Sequence, residues 1–176
     1  MSMRAVLALD QGGHASRACL VNEHGEIIAE RQVPIRTAHG SAGEVEHDPD
    51  EIVESLRAAA VSVLQGAPEV LIEAAGLATQ RSTIVCFEQR SGAALSPAIS
   101  WQDRRNGEWL QSFAAHAGRI GELTGLPLSA HYGVGKMRWC LDHLAAVQRA
   151  RARADLLIAP LASYLTMRLT GGAALA

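Results

Sequence analysis

The stretch from Arg4 to Leu20, RAVLALDQGGHASRACL, limits most tightly what this chain can become. Val6 to Leu9 is a short apolar run ending in Asp10. Gly12-Gly13 follows, and Ala18 to Val21 is apolar again. Two apolar runs about a glycine turn read as a β-hairpin, with a carboxylate at the exit of a buried strand. Glycine has no Cβ, so backbone N–H groups at such a turn can come close to an anion. Asp10 beside it could hold Mg²⁺ directly or through water, and Arg17 could reach a phosphate oxygen. The stretch fits a site where a nucleotide's phosphates meet a metal. It equally fits a hairpin whose Asp and Gly only make the turn.

The next segments extend the hairpin into an α/β pattern. Glu26 to Val33 reads as a third strand stopped by Pro34, which completes an antiparallel meander. Arg36 to Glu46 is a polar loop. Asp48-Pro49-Asp50-Glu51 starts a helix: a capping carboxylate, proline at the first helical position, and acids at the positive end of the dipole. Ile52, Leu56, Ala59, Ala60 and Val63 then recur at helical spacing, and Gly66 and Pro68 end the helix. Val70 to Thr79 is an apolar strand after a crossover helix, so it is expected parallel to an earlier one. Its exit carries Gln80-Arg81-Ser82, at the end of a buried strand where open α/β sheets bind ligands. Thr83–Glu88 and Leu95–Ser100 read as a further hairpin leading into Trp101-Gln102-Asp103-Arg104-Arg105. Helices are expected over Arg104–His116, Arg119–Leu123, Gly135–Leu144 and Leu161–Leu169. A loop from Pro127 to Val134 carries Tyr132, and Leu156–Ile158 reads as a short strand.

Composition excludes several classes. A formal net charge of -2 leaves no basic footprint for nucleic acid. With only 4% aromatic residues, base-stacking platforms are not expected. No apolar run approaches the ~20 residues of a membrane span. Arg4 leads directly into a strand-like run, so no separate signal peptide is expected. Cys19, Cys86 and Cys140 are isolated and in apolar surroundings, which fits core thiols in a reducing, cytoplasmic compartment. No zinc spacing, phosphate loop or serine nucleophile elbow occurs.

Six stretches, LALDQGGHASRA, VEHDPDEI, ATQRST, AISWQDRR, TGLPLSAHYGVGKMRW and SYLTMRLTGG, together resemble the FGGY carbohydrate kinases, and within them the glycerol kinase branch. They occur in that family's order and cover nearly the whole chain. The resemblance implies an actin-like, ribonuclease H-like α/β fold, with residues 1–176 matching the front part of the N-terminal domain. The mixed sheet would open with the antiparallel meander and would be incomplete here. The family's C-terminal nucleotide domain, and the later stretch carrying its general base, an Asp, would lie outside these residues. Asp10 resembles the metal-associated carboxylate. Gly12, Gly13, Ser16 and Arg17 match the hairpin that meets the nucleotide phosphates. Gln80, Arg81 and Ser82 match the substrate-side strand exit, Trp101 the indole that packs on the substrate's carbon skeleton, and Tyr132 a phenol that donates to a hydroxyl. ATP and Mg²⁺ would be the cofactors and a small sugar or polyol the substrate.

Two departures bear on function. Gly13, His14 and Ala15 replace the Thr, Thr and Ser of the glycerol kinase hairpin, removing hydroxyls that would contact phosphate. Ser82 replaces a Glu that accepts from glycerol, which leaves room for a larger polyol or sugar. Three readings follow. One is an ATP-dependent polyol or sugar kinase (EC 2.7.1.-) whose activity needs more than this chain. A second is a kinase-derived module that binds a carbohydrate without chemistry. The third is a structural fragment whose exposed apolar surface drives self-association into a homo-oligomer.

Overall fold

The computed structural model describes residues 3–172. The chain forms two compact units. The first comprises the chain up to Thr37, His47–Gln80, and the chain from Ala162 onward; the second comprises Ala38–Glu46 and Arg81–Leu161.

The first unit is built on a four-stranded mixed sheet of order β3-β2-β1-β6. Strands β1 (Arg4–Gln11), β2 (Ala15–Asn22) and β3 (Ile27–Pro34) make the expected antiparallel meander. Strand β6 (Leu71–Thr79) lies parallel to β1, as its crossover helix requires. Side chains alternate across the sheet with period two. Ala5 and Leu7 of β1, with Ala18 and Leu20 of β2, are buried against helix α1 (Pro49–Gly66), where Ala59 and Val63 complete the core. The capping expectation for α1 holds: the Asp48 side chain accepts from the backbone N–H groups of Asp50 and Glu51, and Pro49 opens the helix. Asp50 accepts from Arg168 of helix α6 (Leu161–Thr170) at 2.7 Å.

The second unit carries a five-stranded sheet of order β4-β5-β8-β7-β9, whose first two strands are β4 (Ala38–His39) and β5 (Val45–His47). The central strand β7 (Ile84–Glu88) pairs antiparallel with β8 (Ala98–Ile99) and along its length with β9 (Leu156–Pro160). Helices α4 (Gly133–His143) and α5 (Ala145–Ala152) cover this sheet. Their core contains Ile84, Cys86, Ile99, Cys140 and Val147, packed with Met137, Leu141 and Leu144. All three cysteines are buried and unbridged.

Four segments differ from expectation, one of them α5, where no helix was expected. The loop over Arg36–Glu46 contains two short paired strands, β4 (Ala38–His39) and β5 (Val45–His47). The expected strand Leu95–Ser100 shortens to Ala98–Ile99, because Pro97 has no N–H to donate to a ladder. The expected helix Arg104–His116 breaks up. Asn106 takes a left-handed φ of 61°, so α2 (Gly107–Gln111) begins only after it, and a 3₁₀ turn at Ala114–His116 leads into α3 (Ala117–Thr124).

Candidate functional site

The first unit presents the Gly-containing hairpin. Its turn is closed by Gly12 N–H donating to the Ala15 carbonyl at 3.0 Å. Asp10 is exposed and directly opposite Arg17 in the ladder, so both lie on the sheet face away from α1. No hydrogen-bonding or ionic partner holds the Asp10 carboxylate among the described residues. That suits a magnesium ion, which keeps several waters and takes one or two carboxylates alongside phosphate oxygens. No group of three or more His, Cys, Asp or Glu side chains able to hold a metal forms among the described residues. A magnesium ion here would therefore depend on ligand oxygens and water besides Asp10.

Three of the hairpin's candidate residues have side-chain partners in the folded chain. Ser16 does not face a ligand: it is fully buried on the α1 side, its Oγ 2.8 Å from Ser55 Oγ. Period-two alternation puts Ser16 on the face of Ala18 and Leu20. Arg17 is already engaged, with Glu30 of β3 at 2.8 Å, and this bond raises its pKa. Gln80, expected at the substrate side, is committed to the hairpin. Its Nε2 donates to Gln11 Oε1 at 3.0 Å and to the Gly12 carbonyl at 3.2 Å. Gly13 remains open, with nothing within 4 Å of a Cβ built there.

The second unit gathers the other candidates around a residue the sequence did not single out, His131. Its ring centroid lies 5.5 Å from Trp101 and 5.1 Å from Tyr132, edge to face with both. Burial together with the positive charges of Lys136, Arg104 and Arg81 lowers its pKa below the usual imidazole range. Arg81 is exposed, and Ser82 takes a left-handed φ of 62°. Tyr132 also lines a mainly apolar cavity of about 220 Å³ with Leu110, Ile120, Leu126 and Val134.

Two buried ionic groups lie in this unit, and only the second falls in a stretch, Trp101–Arg105, that the sequence marks as polar. Lys136 is fully buried; its Nζ donates to the carbonyls of Ser82 at 2.9 Å and His131 at 2.7 Å. One ammonium thus ties the strand exit carrying Arg81 to the segment carrying His131 and Tyr132. Desolvation pushes its pKa down to about 8. Two residues on from Trp101, the buried Asp103 accepts from Arg105 through both oxygens at 2.7–3.0 Å and from Val45 N–H at 2.7 Å. Arg105 also donates to Glu46 at 2.6 Å and lies 4.4 Å from the Trp139 ring centroid. Trp101 N–H donates to Thr83 Oγ1, which fixes the backbone that presents the indole.

Residues 5–175 match the FGGY family of carbohydrate kinases, N-terminal domain. The chain belongs to this family. Its relatives include the glycerol kinases of Verminephrobacter eiseniae, 37% identical over 174 residues, and of Dechloromonas aromatica, 38% identical over 173. These alignments cover 97% and 96% of this chain but 34% of each relative, so the chain spans about a third of their length. Among solved structures, it is similar to Plasmodium falciparum glycerol kinase crystallised with ADP, with a TM-score of 0.89 at 24% identity. That match covers 97% of this chain and 35% of the other. The xylulose kinase of Rhodospirillum rubrum gives 0.82 at 22% identity, covering 93% and 33%. The fold is thus that of an actin-like ATPase N-terminal domain, with the opening meander that the FGGY resemblance implied.

Proposed function

We propose that this chain supplies the phosphate-side hairpin and the substrate wall of an FGGY kinase that phosphorylates a polyol or sugar hydroxyl with ATP. The observation that carries the reading is the second unit's cluster: an indole, an imidazole and a phenol in edge contact, with two guanidinium groups close by. A polyol has apolar C–H faces and a rim of hydroxyls. An aromatic wall covers the faces, and fixed donors select the hydroxyl pattern, because an unmatched buried donor costs about 1–3 kcal/mol. Ser82, short and uncharged, favours a substrate larger than glycerol.

In the first unit, Asp10 would hold Mg²⁺ directly or through water. The ion would neutralise charge building on the transferring phosphoryl group. Gly12 and Gly13 allow a phosphate to approach the main chain, and Arg17 reaches it by exchanging Glu30 for a phosphate oxygen. The chain alone is expected to be inactive, since the family's general base and adenosine-holding domain match no part of it. Three buried, unbridged thiols suit a reducing cytoplasm.

The hairpin itself favours a second reading, carbohydrate binding without phosphoryl transfer. Ser16 is turned inward, Arg17 is already paired, and the Gly12 N–H is spent on the turn. Titration calorimetry with a polyol panel, with and without Mg-ATP, separates the two. A kinase half-site binds a polyol and responds to Mg-ATP. Polyol binding that ignores nucleotide, in a longer protein containing this chain as well, supports the binding module. Absence of any polyol heat overturns both.

A further inference from the structure

The hydrogen-bonding inventory of the second unit's wall is rich in donors, with the hydroxyls of Ser82 and Tyr132 as weak acceptors. Arg81 and Arg104 carry only donors, and so does the indole N–H of Trp101. Each substrate hydroxyl must also place its own proton on an acceptor. Where the FGGY resemblance expects a carboxylate, this chain has Ser82, whose hydroxyl is a weaker acceptor.

His131 meets that need. Its imidazole is half-buried, and neither ring nitrogen has a hydrogen-bond partner among the described residues. The backbone around the ring is fixed instead: the His131 carbonyl accepts from Lys136, and its N–H donates to Ser129 Oγ at 3.2 Å. Tyr132 differs, since its ring also lines the apolar cavity beside Leu110 and Leu126. The charged groups acting on His131 are Lys136, Arg104 and Arg81, with Asp103 acting on Lys136. They disfavour a fourth positive charge, so near neutral pH the ring offers one donor and one acceptor.

We propose that His131 contacts the substrate directly and is the principal hydrogen-bond acceptor of the polyol wall, its neutral ring nitrogen accepting more strongly than the hydroxyls of Ser82 and Tyr132. The inference rests on the polyol reading above and sharpens it: the ligand is a polyol with a hydroxyl that donates to His131 while its carbon chain lies on Trp101.

The test is NMR on the 176-residue chain, following histidine and tryptophan side-chain resonances during titration with glycerol, erythritol and xylitol. The ring and indole signals of His131 and Trp101 are expected to shift together with one polyol. His131→Gln, which keeps a neutral acceptor, should bind within about threefold of wild type, whereas His131→Phe should weaken binding at least about tenfold, the worth of one hydrogen bond. Amide spectra matching wild type show that each variant is folded. Wild-type affinity should fall as pH drops below the ring's pKa, and that of His131→Gln should not. If Trp101 and the Arg81 backbone respond to a polyol while His131 stays still, or His131→Phe binds as wild type does, the inference is overturned and the polyol reading stands. If no signal responds to any polyol up to about 100 mM, a range where even millimolar affinity would register, both fall.

Discussion

Removing the Arg105 guanidinium should destabilise the second unit by about 3–4 kcal/mol, near the low end for a broken buried ion pair. The estimate follows from what the variant Arg105→Ala leaves behind. Three contacts to Asp103 at 2.7–3.0 Å vanish, as do the 2.6 Å bond to Glu46 and the stacking on Trp139. Asp103 stays fully buried with its charge uncompensated. It keeps two backbone donors, Val45 N–H at 2.7 Å and its bond from residue 105 N–H at 2.9 Å, which holds the cost at the low end. Glu46, part-exposed, turns to water at little cost. Lost stacking on Trp139 adds about 0.5–1 kcal/mol. Urea unfolding monitored by tryptophan fluorescence reads this unit directly, because Trp101, Trp109 and Trp139 all lie within it. In a double-mutant cycle with Asp103→Asn, the two losses should be coupled by about 2 kcal/mol, as for neighbours in one network. A loss below about 0.5 kcal/mol, the range of an ordinary surface change, or an additive cycle, would refute the assignment of this triad as a buried ionic network that stabilises the second unit.

Other perturbations test other parts of the account. Lys136 has a folded pKa of about 8 against an unfolded value of 10.5, so between these values the unfolded chain binds the extra proton. Stability relative to Lys136→Met should therefore rise as pH goes from 8 to 10.5, by up to about 3 kcal/mol; a flat difference over that window would contradict the buried, desolvated ammonium. Asp48→Ala removes the cap of α1 and should cost about 1 kcal/mol in urea melts of the first unit. Gly13→Thr meets open space and should fold with stability within about 1 kcal/mol of wild type. It should also raise the calorimetric response to Mg-ATP by restoring a hydroxyl at the hairpin.

The first unit was the more legible half, because its signals are local. The two apolar runs about the glycine turn, the Asp48-Pro49 start and the 3.6-residue stripe of α1 each report one element, and all were met by the structure. The period-two alternation of a strand places Ser16 inward with Leu20, whereas the family resemblance sets it toward phosphate. The short strands β4 and β5 carry too few residues for any periodicity. The helix expected at Arg104 fails on one backbone angle, at Asn106, stabilised by a side-chain bond from its Nδ2 to the Gly135 carbonyl. That partner lies twenty-nine residues away, beyond the reach of a local pattern. His131 and Lys136 were missed for the same reason: their meaning comes from Trp101 and Ser82, residues that only the folded second unit brings to them.

The most direct measurement replaces the matching third of Verminephrobacter eiseniae glycerol kinase with this chain and assays ATP-dependent phosphorylation of a polyol and sugar panel. The account predicts phosphorylation of at least one polyol larger than glycerol, lost on Arg81→Met. A folded chimera that binds Mg-ATP yet phosphorylates nothing in the panel would contradict it.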